Sequence, residues 1–210
     1  MIRFQHLRSW FSHFASRGWR DDRGAQLVEF AVALPLLVVF VVGIFDFSNA
    51  FTLKQKLTNI ARDAARTAAC DPANDLASYS TSAPVSVIDA FQIIDNYLIA
   101  NKINDCGVTQ ASGTSSGLTW TYSVAATASA PCGITIVVDR GYYFPLSSGA
   151  TLPSASCTSL ASTGQPIVIG TCVSIQYSYP WKFGRVASLL GTNTTLPPSI
   201  TGIAVALNEN

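Results

Sequence analysis

The pattern of hydrophobic and polar positions divides this chain into a leader, an apolar run and a longer C-terminal part. Residues 30–45, with the sequence FAVALPLLVVFVVGIF, contain no charged residue. Extending this run to residues 25–47 reaches the ~20 residues that a helix needs to cross about 30 Å of hydrocarbon. The pattern therefore predicts a transmembrane helix with its span at about residues 27–47.

The helical pattern continues beyond the apolar run. From Ala50 to Ala68, apolar residues recur at steps of three and four, which is the period of an α-helix. Pro72 predicts the end of this helix, since the residue before a proline avoids helical backbone angles. We therefore expect one helix over residues 25–69, whose second half carries an apolar stripe for packing.

Residues 70–210 are expected to form a folded head of the α+β class. Helical periodicity predicts a second helix over residues 86–101. Apolar and polar residues alternate in four candidate strands, which predicts an antiparallel sheet with one buried face. These strands are residues 120–124, 134–139, 173–181 and 203–207. Composition marks residues 107–117 and 147–166 as loops.

Charge is sparse and unevenly distributed along the sequence. Residues 1–24 contain five arginines and two aspartates, a net charge of +3 that favours a cytoplasmic N-terminus. Four basic residues between positions 54 and 66 weaken that argument for orientation. Residues 71–210 have a net charge of −3, which argues against a nucleic-acid partner because phosphate binding needs clustered Lys and Arg.

All five cysteines follow the apolar run, at positions Cys70, Cys106, Cys132, Cys157 and Cys172. Their wide spacing fits neither a zinc site nor a redox pair, and it indicates disulfides in an oxidising compartment. Buried free thiols are the alternative. We predict the pairs Cys70–Cys106 and Cys157–Cys172, each closing one loop, and the cysteine placement orients the head away from the cytoplasm.

No catalytic, cofactor or metal site is predicted. Both histidines, His6 and His13, lie in the leader, so residues 70–210 contain none for a triad, a zinc site or acid–base catalysis. The chain also lacks a glycine-rich lysine loop that holds phosphates. We therefore expect a protein that is not an enzyme.

Residues 24–29 read Gly-Ala-Gln-Leu-Val-Glu and are followed by Phe30. This sequence resembles the processing site of type IV prepilins, with cleavage between Gly24 and Ala25 and a glutamate, Glu29, at the fifth mature position. The wider stretch, including Pro35 and the alanine–arginine run that ends near residue 69, is similar to the TadE-like pseudopilins of tight-adherence (Flp) pilus systems.

The resemblance implies a function, partners and a location. A prepilin peptidase would remove the basic leader, residues 1–24, and the new amine on Ala25 would pair with Glu29 of a neighbouring subunit. Glu29, Phe30 and Pro35 would be the residues for subunit assembly. The protein would then be a minor pilin or pseudopilin with a pilin-like head. It would be a structural subunit that works with other pilin subunits and the pilus assembly platform. It would cross the inner membrane once, in contact with its lipid, with a cytoplasmic N-terminus and a periplasmic or extracellular head.

Two other interpretations remain open at the level of sequence. A bitopic envelope protein with a partner-binding head would have the same anchor without a filament role. A secretory signal would be cleaved after Ala50, where Ser48-Asn49-Ala50 provides a small-x-small site, and would release a secreted protein, such as an enzyme. For Glu29, the alternative to pairing with a neighbouring subunit is a carboxylate that rests at the headgroup level, favoured by the dipole at the helix N-terminus.

Overall fold

The computed structural model describes residues 22–72, 74, 76, 82–145, 156–157, 167–187 and 196–208. Most of the predicted leader, with His6 and His13, therefore lies outside the described residues. The helices are α1 (Asp22–Cys70), α2 (Val85–Ala100) and α3 (Lys182–Ala187), with a short 3-10 helix at Val108–Gln110. The strands are β1 (Thr114–Ser116), β2 (Thr119–Val124), β3 (Ile134–Pro145), β4 (Ile167–Ser178) and β5 (Ser199–Leu207).

Helix α1 is continuous through Pro35 and ends just before Pro72, in agreement with the predicted helix over residues 25–69. The chain divides into two compact units. The first, here called the membrane-helix unit, comprises Met1–Asp46 and Lys182–Thr194. The second, here called the sheet unit, comprises Phe47–Trp181 and Thr195–Asn210.

The sheet unit contains a five-stranded antiparallel sheet in which each strand pairs with the next along the chain, in the order β1-β2-β3-β4-β5. The longest pairing joins β3 and β4, from Ile134 opposite Tyr177 to Pro145 opposite Ile167. An irregularity between Asp139 and Tyr142 interrupts its register. The fold class is thus α+β, as the sequence predicted, with one strand more than expected.

The structure departs from the sequence prediction in four strands and in helix α3. Strand β3 continues six residues beyond the predicted end at 139, and β5 begins four residues before the predicted start at 203. Strand β1 lies in the predicted loop 107–117, because its three residues are all exposed and give no alternation signal. Strand β4 begins six residues before the predicted start at 173, since its first half reads IVIGTC and does not alternate. The predicted strand 173–181 ends early at Ser178, and α3 begins four residues later, at Lys182.

The core of the sheet unit lies between the second half of α1, α2 and one face of the sheet. Its buried side chains include Leu57, Ile60, Ala61 and Ala64 of α1, Val87, Ile94 and Leu98 of α2, and Ile136, Val138, Val173 and Ile175 of the sheet. A Cβ atom at Gly202 of β5 would lie 2.6 Å from both the Leu57 carbonyl oxygen and the Thr58 amide nitrogen. Strand β5 therefore meets the backbone of α1 directly, and only glycine fits at this position.

A buried arginine holds the C-terminal end of α1. The Arg140 side chain, 1% exposed, donates from Nη1 to the Ala68 carbonyl and from Nη2 to the Asp71 carbonyl, 3.1 Å away. Its Nη1 also donates to Thr171 Oγ1 at 3.0 Å. The last carbonyls of a helix have no partner within the helix and carry partial negative charge. Arg140 supplies both the missing donors and the opposite charge.

The structure contains two disulfides. Cys157 pairs with Cys172, the same pair that the sequence predicted. The predicted pair Cys70–Cys106 is wrong, because Cys106 is bonded to Cys132 and Cys70 is a free, exposed thiol. The reason is positional. Cys70 borders residues 205–207 at the end of β5, whereas Cys106 lies in the turn that follows α2, within reach of the segment that enters β3.

Peptide mapping without reductant is expected to recover two linked peptides, Cys106–Cys132 and Cys157–Cys172, with Cys70 as the only alkylated cysteine. Replacing Cys106 and Cys132 together by serine should lower the free energy of unfolding by about 3 kcal/mol, because a cross-link of this span restricts the unfolded chain. Cys70→Ser is the matched control and should leave stability unchanged. A recovered Cys70–Cys106 peptide would refute this pairing.

Candidate functional site

The apolar half of α1 presents its side chains outwards. In the 18 consecutive residues of α1 with the highest mean hydropathy, only 6% are buried. Leu27, Val28, Phe30 and Val32 are between 64% and 72% exposed. A continuous apolar surface of this size is unfavourable in water, at roughly 25 cal/mol per Å2, and marks contact with lipid or protein. Within the described residues, α1 is the one helix long and apolar enough to cross a membrane, judged by length and composition.

Gly24 lies in the first turn of α1, one residue before the predicted cleavage point. A Cβ atom added at Gly24 would meet no other atom within 4 Å. Packing within the described part of the chain therefore gives no reason for glycine at this position, and neither does backbone conformation inside a helix, where glycine is unfavourable.

The predicted assembly residues Glu29, Phe30 and Pro35 all lie in the exposed part of α1. Glu29 is exposed, and it lies four residues after Ala25 in the sequence. Phe30 is 64% exposed. None of the three belongs to the core of the sheet unit. All three therefore lie on one exposed segment of α1.

Asp46, at the end of the apolar run, has a role that sequence analysis did not predict. Its side chain is only 3% exposed. Its Oδ2 atom accepts hydrogen bonds from the backbone N–H groups of Lys182 and Phe183, both at 2.8 Å. These are the first two residues of α3, whose N–H groups have no partner within their own helix. Asp46 therefore caps α3 from 136 residues away in sequence, a contact that no local pattern reveals.

Gly43 completes the contact between α1 and α3 inside the membrane-helix unit. A Cβ atom at Gly43 would lie 3.0 Å from Cδ2 of the Phe183 ring, closer than side chains normally approach. Gly43 and Asp46 are three residues apart and so lie on one face of α1. This face holds α3 by two charge-assisted hydrogen bonds and one close ring contact.

Residues 24–66 match the family model described as TadE-like protein. The N-terminal segment of this chain is therefore similar to TadE-like proteins over residues 24–66. The matched range includes the predicted processing residues, the exposed apolar half of α1 and most of its packed half, and it ends at Arg66. The whole head, residues 70–210, therefore lies outside the match. No curated protein and no solved structure matches the chain.

Beyond the TadE-like segment, the described residues contain no group of three or more His, Cys, Asp or Glu side chains placed to hold a metal ion. Burial raises the pKa of the Asp139 carboxyl, an effect that hydrogen bonds from Gly141 and Thr119 oppose. Burial likewise raises the pKa of the Tyr142 hydroxyl, and the nearby Asp139 charge adds to that effect. Both residues flank Arg140 at the irregularity in β3, where they form part of the packed sheet.

A cavity of about 420 Å3 lies in the sheet unit, beside the first turns of α1 that follow the apolar run. Its lining consists of Phe47, Ala50, Phe51, Lys54, Trp181, Pro197, Ser199, Ile200 and Thr201. Lys54 is the one ionisable side chain in this lining, so the cavity offers no pair of groups for acid–base catalysis.

Proposed function

We propose that this protein is a TadE-like pseudopilin, a structural subunit for the assembly of a tight-adherence pilus, and that it is not an enzyme. The observation that carries the proposal is the order of features along α1. A Gly24–Glu29 processing motif stands at the start of a helix that is apolar and exposed first and amphipathic and packed afterwards. The match of this segment to the TadE-like family supports the same function.

Helix α1 anchors the protein in the inner membrane, with the N-terminus in the cytoplasm and the head on the opposite side. The two disulfides of the head support this orientation, because disulfides persist in oxidising compartments outside the cytoplasm. A single helix of this length and composition is sufficient for the anchor.

Removal of the leader by a prepilin peptidase prepares the subunit for assembly. Gly24 supports this step, since the fold itself gives no packing reason for glycine there. Cleavage exposes an amine on Ala25, and the exposed apolar surface of α1 then packs against neighbouring pilin subunits and the assembly platform. Glu29 lies in this surface, where its carboxylate pairs with the Ala25 amine of the next subunit.

Sequencing the mature N-terminus in cells that contain the cognate peptidase tests the proposal. The expected first residue is Ala25. Gly24→Leu should leave the precursor uncut, because a bulky side chain replaces hydrogen at the scissile position. Gly18→Leu is a matched control in the same leader and should not affect cleavage.

Other N-termini would support the competing interpretations. A mature protein that starts at Phe51 would establish secretion by a cleaved signal, and the pseudopilin proposal would be wrong. An intact Met1 in the presence of active peptidase would indicate a plain envelope anchor without a filament role.

A further inference from the structure

We propose that α3 is an interfacial anchor whose cationic side chains, Lys182 and Arg185, bind the phosphates of anionic phospholipids where α1 leaves the membrane. The inference rests on the proposed membrane anchoring by α1 and adds a second, specific contact with the same membrane. It assigns a lipid class and a site to a segment that lies outside the TadE-like match.

The contacts of α3 fix its depth. Gly43, which meets the Phe183 ring, is one of the last residues of the uncharged run 30–45. Asp46, which accepts the hydrogen bonds from Lys182 and Phe183, immediately follows that run. The two positions are about 4.5 Å apart along the helix axis, at 1.5 Å per residue. If α1 spans the bilayer, the start of α3 lies at the boundary between hydrocarbon and headgroups.

Hydrogen bonds to the buried Asp46 carboxylate hold α3 at this boundary. A carboxylate at the edge of the hydrocarbon is unfavourable unless its oxygens accept hydrogen bonds. Asp46 is buried and accepts two of them from α3, so release of α3 would leave this charge without those donors. Helix α3 therefore stays at the membrane surface instead of moving with solvent-exposed loops.

The charge distribution identifies the partner. Residues 71–210 contain only four basic residues, against seven acidic ones, and two of the four lie in the six residues of α3. Lys182 and Arg185 are both exposed, whereas Arg140 is buried in the sheet unit. Lys and Arg near a bilayer surface are attracted to anionic headgroups, and their long side chains can reach the phosphates.

The test uses the full-length protein in vesicles and reads the fluorescence of Trp181, the residue that precedes Lys182. Trp10→Phe and Trp19→Phe remove the leader signals, and a further Trp181→Phe variant gives the background from the buried Trp120. Quenching is compared between brominated phosphatidylglycerol and brominated phosphatidylcholine at the same mole fraction. Each basic residue near the surface contributes about a fivefold preference for anionic lipid.

We expect Trp181 to be quenched more strongly by the anionic lipid, with a preference of roughly fivefold or more. Lys182→Gln with Arg185→Gln should remove this preference, and so should salt near 1 M, where the screening length falls to about 3 Å. Lys102→Gln is the matched control, because Lys102 is also exposed but lies in the turn after α2. It should leave the preference unchanged.

Alkaline carbonate extraction shows whether the protein is inserted in the bilayer. It therefore distinguishes a failure of the lipid proposal from a failure of the proposed membrane anchor. Equal quenching by both lipids in an extraction-resistant protein would overturn the lipid proposal and leave the pseudopilin proposal standing. Absence of quenching in such a protein would also overturn it, and would mean that another protein surface covers α3. Extraction of the protein from the vesicles would overturn both proposals.

Discussion

Glu29→Val is expected to preserve membrane insertion and to weaken subunit association by about tenfold or more. The substitution makes the exposed half of α1 more apolar, so insertion is not impaired. A carboxylate and an amine about 4 Å apart attract each other by roughly 4 kcal/mol at an effective dielectric near 20, before desolvation is subtracted. If a third of this attraction remains after desolvation, removing it lowers the association constant about tenfold.

The measurement is crosslinking between subunits and pilus formation, compared with the amount of processed protein in the membrane fraction. Glu29→Asp should give an intermediate result, because it keeps the charge and shortens the reach. Val32→Ala is the matched control, since Val32 is similarly exposed on the same segment and carries no charge. Normal assembly by a cleaved, membrane-inserted Glu29→Val protein would rule out the pairing of Glu29 with a neighbouring amine.

Arg140→Met is expected to lower the free energy of unfolding by about 3 kcal/mol. Methionine fills a similar volume, but it cannot donate to the Ala68 and Asp71 carbonyls or to Thr171 Oγ1. Those carbonyls then lose their donors inside the protein, and the negative end of α1 loses its counter-charge. For a chain of this size the loss corresponds to a decrease in melting temperature of roughly 6–12 °C.

Thermal unfolding of the full-length protein in detergent, followed by near-ultraviolet circular dichroism, measures this effect. Arg140→Lys should be intermediate, because lysine keeps the charge without the planar set of donors. Arg62→Met is the matched control, since Arg62 is exposed on α1 and its replacement should change stability by less than about 0.5 kcal/mol. Equal melting temperatures for Arg140→Met and the wild type would show that Arg140 does not stabilise the end of α1.

The sequence predicted the elements whose signals are local and periodic. An uncharged run of sufficient length predicted the exposed half of α1, the three- and four-residue spacing predicted its packed half, and Pro72 predicted its end to within one residue. Helix α2 and the inner parts of the sheet followed from the same periodicities. The Gly24–Glu29 motif was also visible, because its residues are contiguous and lie directly before the apolar run.

The sequence prediction was wrong where the local pattern of apolar and polar residues is weak or irregular. Strand β1 is exposed throughout, and the first half of β4 is apolar on both faces and contains Gly170, so neither shows the alternation of a half-buried strand. The pairing of Cys106 was predicted from loop length, which ignores where the ends of α1 and α2 lie in space. The structure places Cys132, and not Cys70, within bonding distance.

By itself, the sequence determined the order of the two long helices and of four strands, the membrane-length helix, the α+β class and the segment that matches the TadE-like family. Only the tertiary structure decided what the isolated charges do. Asp46 caps α3 and Arg140 holds the end of α1 through contacts that span 136 and 72 residues. Periodicity and motifs encode interactions between near neighbours in the chain. The pairing of a buried charge with a distant helix end depends on how the two backbones pack, which no local pattern records.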